Sequence, residues 1–447
     1  MPAQRGYRLI RRLTVPPLDA LEPFLPRLAG ADPDTRRTVA AILEGVLARG
    51  DEAVREYTLQ FDGVDLDPSS WELDAATWQS ALGRIAPALT NALALSVQRV
   101  TDYHQHQRDA GFRLAEDDGS LTGMKVLPLD RVGLYVPGGK ASYPSTVVMN
   151  AVPALVAGVQ EIIAVVPPQG VTDVVLAACA LSGVTRVFRI GGAQAIAALA
   201  YGTGTIPRVD KIVGPGSRWV AEAKRQVVGR VGIDMIAGPT EVLIITDATG
   251  RPERIAADMI AQAEHDEDAT SWCVSTDPDL AEALPPALEW ALARAPRSRI
   301  ARAALDRNGL IVTAGSMRDA IEVANRRAPE HLQIVADGAE RIASAVRNAG
   351  AIFLGDDTPE PVGDYIAGPS HVLPTAGTAR YASPLGVYDF VKRTSVIKYS
   401  PERLARDADA IIALAEAEGL FGHAEAVRMR VGQRDSGTAG QRGSHSD

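Results

Sequence analysis

The stretch "EIIAVVPPQGVTDVVLAACALSGVTRVFRIGG", residues 161–192, indicates the fold class. It opens with a short run rich in Ile and Val that ends at two prolines. An apolar segment of helix length follows, and a second short run then ends at two glycines. Parallel strands that are covered on both faces read as continuous apolar runs, and their alternation with helices is typical of an α/β fold.

The same alternation repeats on both sides of this stretch. Nearby segments that fit it are "VGLYVPGG" (132–139), "STVVMNAVPALVAG" (145–158), "AQAIAALAYG" (193–202), "KIVGPG" (211–216) and "SRWVAEAKRQVVG" (217–229). Further on, the strand-like segments are "EVLIITD" (241–247), "SWCVSTD" (271–277), "GLIVTAG" (309–315), "HLQIVAD" (331–337) and "AIFLG" (351–355), with helices expected at 252–265, 279–294 and 316–326. We therefore expect two doubly wound α/β units, at roughly 131–235 and 241–356. Helices are also expected within 33–60, 75–108 and 400–430.

Composition favours a globular enzyme or binding protein over other classes. The chain has 447 residues, 46% of them hydrophobic, and a net charge of −9, which argues against nucleic acid or an anionic membrane as the main partner. Cys179 and Cys273 are far apart, as expected for reduced core residues of a cytoplasmic protein. The start "MPAQRGYRLIRRL" lacks an apolar core, and no apolar run reaches 18 residues, so we expect neither a signal peptide nor a membrane span.

Ligands of doubly wound sheets usually lie beyond the carboxyl ends of the strands. The segments expected there are "YVPGG", "RIGGAQ", "VGPGS", "AGPTE" and "FLGDDTPEPVGDY". The sequence contains no GxGxxG, so a dinucleotide would not be held by that motif.

Four histidines have acids or amides nearby, and for three of these segments a structural and a functional interpretation are both open. His265 is three residues after Gln262. It is either a metal ligand or a helix-end residue that bonds the last carbonyls of the helix. Asp364, seven residues before His371, is either a ligand or a turn residue, and Glu418 and His423 flank a Gly-rich helix break.

The fourth of these histidines is paired directly with an acid. Glu330 and His331 follow a proline and precede an apolar run in "RRAPEHLQIV", residues 326–335. They are either a solvated loop or a proton-transfer pair at the mouth of a strand.

Ten segments resemble the histidinol dehydrogenase family, in order, over about residues 20 to 430. They are "GLYVPGG", "IGGAQAIAALAYGT", "VDKIVGPG", "VAEAKRQV", "GIDMIAGPTEVLIITD", "QAEHDED", "APEHLQI", "VGDYIAGPSHVLPT", "DFVKRTSV" and "AEAEGL". Two phrases, "APEHLQI" and "GVYDFVKRTSV", fit this family better than its sulfonate-diol dehydrogenase relatives.

The resemblance implies an activity, cofactors and site residues. The expected activity is the oxidation of L-histidinol through L-histidinal to L-histidine with reduction of two NAD⁺, by a homodimer with one zinc per active site. Glu330 and His331 would be catalytic. The implied zinc ligands, which also contact substrate, are Gln262, His265, Asp364 and His423, the last from the neighbouring subunit. Further substrate contacts would be Thr240, His331, His371 and the neighbour's Glu418, and NAD contacts would be Tyr135, Gln194 and Ser217.

One implied NAD contact departs from the family pattern. "GPGS" has Ser217 where relatives usually have Asn, so we expect altered and weaker NAD binding.

The implied fold consists of two incomplete Rossmann-like domains with N- and C-terminal helical arms. The expected parts are an N-terminal arm (1–24), a first α/β domain with the zinc and catalytic residues (25–130 plus 236–381), a second α/β domain on the NAD side (131–235), a C-terminal arm exchanged in the dimer (382–431) and a disordered tail (432–447).

Three other functions compete with this one. The first is a zinc- and NAD-dependent dehydrogenase of another polar alcohol, such as a sulfonate diol, on the same scaffold. The second is a two-lobed binding protein without chemistry. A hydrolase is disfavoured because the sequence has no GxSxG and no metalloprotease helix.

Overall fold

The computed structural model describes residues 9–26, 32–138 and 143–432. The chain divides into two compact units. The first comprises Met1–Arg108 and Pro128–Phe390, and the second comprises Asp109–Leu127 and Val391–Asp447. Apart from Gly432, the tail predicted to be disordered lies outside the described residues, and so do the first eight residues of the N-terminal arm. The domain boundaries stated above stay a prediction.

The strands are distributed along the whole described chain. They are β1 (Arg11–Val15), β2 (Phe112–Ala115), β3 (Leu121–Pro128), β4 (Arg131–Tyr135), β5 (Glu161–Val165), β6 (Arg186–Phe188), β7 (Lys211–Val213), β8 (Gly232–Ile233), β9 (Glu241–Thr246), β10 (Thr270–Ser275), β11 (Leu310–Ala314), β12 (His331–Val335), β13 (Ala351–Leu354) and β14 (Val391–Lys398).

Helices separate most of these strands. They are α1 (Pro33–Arg49), α2 (Asp51–Asp62), α3 (Ala75–Gln79), α4 (Pro87–Gln105), α5 (Pro144–Ala157), α6 (Asp173–Leu181), α7 (Gly192–Tyr201), α8 (Arg218–Val227), α9 (Pro252–Ala263), α10 (Pro278–Leu292), α11 (Ser298–Asn308), α12 (Met317–Arg327), α13 (Ala339–Ser344), α14 (Glu360–Tyr365), α15 (Pro401–Ala417) and α16 (Phe421–Gly432). Among the described residues, none of these helices combines the length and the apolar character needed to cross a membrane.

The first unit contains two parallel sheets, which confirms the predicted fold class. One has the order β6-β5-β4-β7-β8 and the other β1-β11-β10-β9-β12-β13. In each, the chain winds outward in one direction and then returns to the other side of the starting strand. The order therefore reverses between β4 and β7 in the five-stranded sheet, and between β9 and β12 in the six-stranded sheet.

Both faces of the six-stranded sheet are buried, as its apolar strands predict. Val242 and Ile244 of β9 pack with residues of α9, α10 and α11, and Leu243 and Ile245 pack on the opposite face with residues of α12. Successive residues of a strand point to opposite faces, so a strand that is apolar throughout needs a helical layer on each side.

Helices α1 and α2 pack with the five-stranded sheet. Val39 and Val54 share a hydrophobic cluster with Ile163 and Val165 of β5. The helix expected within 33–60 is two helices, because Gly50 has a φ of +56° and ends α1 after its last turn. Strand β1 pairs with β11 at the edge of the other sheet and was not predicted.

The second unit contains the sheet β14-β3-β2 and helices α15 and α16. Strands β2 and β3 are antiparallel. Helix α15 begins where the Ser400 hydroxyl accepts a hydrogen bond from the Arg403 N–H, and α16 follows after Gly419, whose φ is +72°. The helical segment expected at 400–430 is thus confirmed, with a break at the predicted glycines.

Candidate active site

Glu330 and His331 lie at the amino end of β12, beside the start of β9. Helix α12 ends because Ala328 adopts a left-handed conformation with a φ of +48° and Pro329 cannot extend the helix. The chain therefore turns into β12 with both polar side chains at its mouth. This is the amino edge of the six-stranded sheet, whereas the carboxyl edge was the one first expected to carry ligands.

Glu330 is buried and accepts two hydrogen bonds. The Thr240 hydroxyl donates to Oε2 at 2.6 Å, and the Glu241 N–H donates to the same oxygen at 2.8 Å. Burial raises the pKa of Glu330 well above its usual range, and these two bonds oppose the rise only in part. In its ionised form this carboxylate is a stronger base than an exposed one.

His331 is also buried, and its tautomer follows from its partner. Nδ1 lies 3.0 Å from the Glu241 carbonyl oxygen. Because a carbonyl oxygen can only accept, Nδ1 carries the proton and Nε2 keeps its lone pair. Burial lowers the pKa of His331 to about 4, so the ring is neutral at pH 7 and Nε2 can accept a proton.

The backbone that holds both residues is fixed by a buried ion pair. Arg327 Nη2 lies 3.1 Å from Glu241 Oε1, which also accepts from the Ala376 N–H at 2.8 Å. Since the N–H and carbonyl of Glu241 contact Glu330 and His331, this pair sets the position of both. Removing one partner of a buried ion pair costs about 3–5 kcal/mol, because the other charge is left uncompensated.

Two predicted metal ligands lie at the end of α9. Because the single hydroxyl proton of Thr240 goes to Glu330, Gln262 must present its Nε2–H to Thr240, at 2.8 Å. Its Oε1 is then buried and has no hydrogen-bond partner among the described residues. His265 Nδ1 bonds the Ala261 carbonyl at 3.1 Å, which leaves Nε2 available. His265 therefore caps the helix, as its structural interpretation predicted. Its Nε2 is still available to bind a ligand.

Asp364 lies in α14 within a group of donors. One ligand atom each from His331, Glu360 and Asp364 lie within 4.8 Å of one another. The Asp364 backbone carbonyl bonds Nδ1 of His371 at 3.0 Å. Burial lowers the pKa of His371, and the nearby His265 lowers it further. The charge of Asp364 acts in the opposite direction and raises this pKa.

The predicted ligands of this unit are of types that bind a divalent metal. Gln262 offers an amide oxygen, His265 an imidazole nitrogen and Asp364 a carboxylate, all donors that zinc accepts. Of the predicted histidine and carboxylate ligands in this unit, Asp364 belongs to the compact group with His331 and Glu360, and His265 does not. The unpartnered Gln262 Oε1 is the observation that favours an ion most strongly, because a buried polar atom without a partner is costly.

Glu360 belongs to the same group of donors and was not predicted from the sequence. It is buried, and its Oε1 lies 3.8 Å from His331 Nε2. Burial raises its pKa to about 9, and the charge of Asp364 adds to the rise. It is four residues before Asp364, so both share one face of α14, and this spacing was the available signal.

Glu418 and His423 belong to the second unit. Glu418 ends α15 and His423 lies in α16, both exposed. Their contribution to the site from a neighbouring subunit stays a prediction.

The three predicted NAD contacts lie at the carboxyl edge of the five-stranded sheet. Tyr135 ends β4, and its hydroxyl accepts from the Gly192 N–H at 3.1 Å. Gln194 is in the first turn of α7, and its Oε1 is buried without a hydrogen-bond partner among the described residues. Ser217 is the exposed N-cap of α8, and its hydroxyl makes no capping bond.

The metal-free protein should be more stable at pH 8 with Glu330→Gln, by about 1–3 kcal/mol. Burial raises the folded-state pKa of Glu330. The contribution of its protonated carboxyl to the free energy of unfolding is therefore fully present below the unfolded-state pKa, and it is lost as pH rises through the folded-state pKa. Glutamine does not titrate, so the difference in Tm from wild type should vanish near pH 4. Thermal unfolding with chelator at both pH values measures it, and an equal difference at both would contradict the buried-carboxyl account.

An α/β fold with a buried acid–imidazole pair at a sheet edge defines the chain as an α/β enzyme. The family model for histidinol dehydrogenase matches residues 26–431. Histidinol dehydrogenases from Oceanobacillus iheyensis and Syntrophotalea carbinolica are 49% and 50% identical, over 88% of this chain and 92% of each relative. The crystal structure of histidinol dehydrogenase from Elizabethkingia anophelis has a TM-score of 0.90 at 31% identity, over 96% of this chain and 99% of that one. The chain belongs to the histidinol dehydrogenase family, which confirms the resemblance in its sequence.

Proposed function

We propose that the enzyme oxidises L-histidinol through L-histidinal to L-histidine, reduces two NAD⁺ and uses zinc. This reaction forms the last steps of histidine biosynthesis. The observation that carries the proposal is the buried pair at the mouth of β12. His331 is neutral with a free Nε2, and beside it Glu330 has a raised pKa. Two bases of different strength suit two successive oxidations.

His331 is the base of the first oxidation. As hydride leaves the carbinol carbon for the nicotinamide, Nε2 takes the hydroxyl proton, and the products are L-histidinal, NADH and one proton. The hydrogen bond from Nδ1–H to the Glu241 carbonyl holds the ring in this tautomer and stabilises it when charged. The pKa of about 4 keeps the ring unprotonated near neutral pH, so Nε2 has its lone pair free.

Glu330 is the base of the second oxidation. The aldehyde cannot release its hydrogen as hydride until water adds to the carbonyl carbon, because an acylium ion would be left. A base must therefore take a proton from that water. A carboxylate with a raised pKa does this more readily than an ordinary one. Hydride then leaves the hydrate for the second NAD⁺ while His331 takes the remaining hydroxyl proton.

Gln262, His265 and Asp364 would hold zinc together with His423 from the neighbouring subunit. Bound zinc is a Lewis acid without redox chemistry, and it would orient the imidazole and amine of the substrate. His371 and the neighbour's Glu418 would contact the substrate as well. Thr240 donates to Glu330 and accepts from Gln262, so towards a substrate its hydroxyl can only accept.

The shape of the five-stranded sheet supports the NAD site. Tyr135 ends β4 and Ser217 follows β7, and these are the strands between which the order reverses. Dinucleotides bind doubly wound sheets at this crevice, with phosphates at a helix N-terminus such as that of α8.

The homodimer is proposed on the family relationship and on the surface of the second unit. Leu414 and Phe421 are 68% and 72% exposed, and Ile397 is 72% exposed. Large exposed apolar side chains are common on surfaces that a partner covers. A cytoplasmic location is proposed with it, because Cys179 and Cys273 are buried free thiols.

The test is NADH formation from L-histidinol by zinc-loaded and chelated protein. We expect activity that is lost on chelation and restored by zinc. Turnover of a sulfonate diol in place of L-histidinol would make the chain a dehydrogenase of another alcohol on the same scaffold. Ligand-induced stabilisation without NADH from any alcohol would favour a binding protein.

Replacement of Ser217 by asparagine should lower the KM for NAD⁺ about three- to tenfold. The amide carries its donor and its acceptor on two separate atoms and reaches further than a hydroxyl. The Ser217 hydroxyl makes no capping bond in this structure. Steady-state kinetics at saturating L-histidinol measures the change. The KM for L-histidinol should stay at its wild-type value, and an unchanged or higher KM for NAD⁺ would contradict the assigned contact.

A further inference from the structure

We infer that the buried ion pair of Lys224 and Asp234 clamps the turn after β7 and thereby sets the affinity for NAD. These are positioning residues, since neither is open to a ligand: their side chains are 3% and 1% exposed. The inference rests on the proposed NAD site and adds two residues to it.

The two side chains hold one residue, Gly214, from both sides. Lys224 Nζ donates to the Gly214 carbonyl oxygen at 2.9 Å, and the Gly214 N–H donates to Asp234 Oδ2 at 2.8 Å. Asp234 Oδ1 pairs with Lys224 and also accepts from the Met235 N–H at 2.6 Å. Both polar groups of the first residue after β7 are therefore bonded to charged partners, and hydrogen bonds to charged groups are the strong ones.

Gly214 is also pressed against the end of β4. Its φ is +107°, and a Cβ at this position would lie 2.3 Å from the Tyr135 carbonyl oxygen. Gly214 therefore contacts the backbone of Tyr135, one proposed NAD contact, and it precedes another, Ser217, by three residues. A shift of Gly214 would change the separation of these two contacts across the crevice.

Direct phosphate binding by Lys224 does not fit the structure. The ammonium is buried and already bonds a carboxylate and a carbonyl. Buried ion pairs rarely add stability beyond well-packed apolar residues of the same size. What the pair supplies here is a fixed backbone at the point where the strand order reverses.

The same sheet offers a matched control. Lys211 Nζ bonds the Asp389 backbone carbonyl at 2.6 Å and the Asp389 carboxylate at 3.1 Å. Like Lys224, it bonds one carboxylate and one backbone carbonyl. Lys211 begins β7, however, at the amino edge of the sheet and away from the proposed NAD contacts.

The experiment measures the KM for NAD⁺ at saturating L-histidinol in zinc-loaded wild type, Lys224→Met and Lys211→Met. We expect Lys224→Met to raise the KM for NAD⁺ about tenfold, and to leave zinc content and the KM for L-histidinol unchanged. Lys211→Met should lower Tm without changing the KM for NAD⁺. If Lys224→Met does not fold, the neutral double variant Lys224→Met/Asp234→Asn carries the same expectation, because it leaves no unpaired buried charge.

Two results would overturn the clamp. One is a wild-type KM for NAD⁺ in the Lys224 variant, and the other is an equal rise in Lys211→Met, which would mean general loosening of the sheet. A wild-type protein that reduces no NAD⁺ would instead remove the proposed NAD site, and the clamp with it. The wild-type assay thus separates failure of the function from failure of the clamp.

Discussion

Glu330→Gln should slow the oxidation of L-histidinal by about 10²–10⁴-fold and leave the oxidation of L-histidinol close to the wild-type rate. Glutamine keeps an oxygen for the Thr240 and Glu241 hydrogen bonds, so the loop geometry is preserved while the base is lost. In the proposed mechanism the alcohol step consumes no water and its base is His331. Single-turnover NADH formation from each substrate, supplied separately, measures the two steps.

Glu222→Gln is the matched control for this variant. Glu222 is as buried as Glu330, but its carboxylate bonds Arg225 and Gln226 in α8. Its replacement should leave both rates near wild type. Equal slowing of both steps by Glu330→Gln would assign Glu330 a general structural role and would contradict its place in the water step.

His331→Asn should slow both oxidations by about 10²–10⁴-fold. In the proposed mechanism the free Nε2 accepts the proton in the alcohol step and in the loss of hydride from the hydrate, and asparagine has no comparable base. Zinc content measured on the same sample shows whether metal is retained. Single-turnover rates from L-histidinol and L-histidinal are the readouts.

His104→Asn supplies the corresponding control. His104 is fully buried in α4, its Nδ1 bonds the Val100 carbonyl at 2.7 Å, and burial lowers its pKa. Its loss should lower Tm and leave both rates unchanged. Retention of either oxidation at the wild-type rate in His331→Asn would remove His331 from that step.

The two parallel sheets were predictable because buried parallel strands have a strong local signature. "EIIAVVPP" and "EVLIITD" are apolar without a break and are followed by helices, and they became β5 and β9. Strand β1 escaped prediction because "RRLTV" is an edge strand with basic and polar residues. Only its parallel pairing with β11, almost 300 residues later, makes it a strand, and no local pattern records that pairing.

The site was less predictable because it depends on tertiary contacts. The pair Glu330–His331 stood out in the sequence, but its position at an amino edge did not follow from the usual rule for doubly wound sheets. The function of Thr240 as a link between Gln262 and Glu330 needs three segments to meet. Spacing alone could not show this.

The ion pair that positions Glu330 and His331 could not be predicted from the sequence either. Arg327 and Glu241 are 86 residues apart and look like ordinary surface charges, yet they form a buried ion pair. Such pairs depend on the approach of two loops, which composition and periodicity do not specify.

The most direct test of the central claim, that one site performs two successive oxidations, is the number of NADH formed per L-histidinol consumed at completion. Zinc-loaded wild-type protein with excess NAD⁺ should give two NADH and L-histidine. One NADH per substrate, with L-histidinal accumulating, would contradict the assignment of both steps to this site.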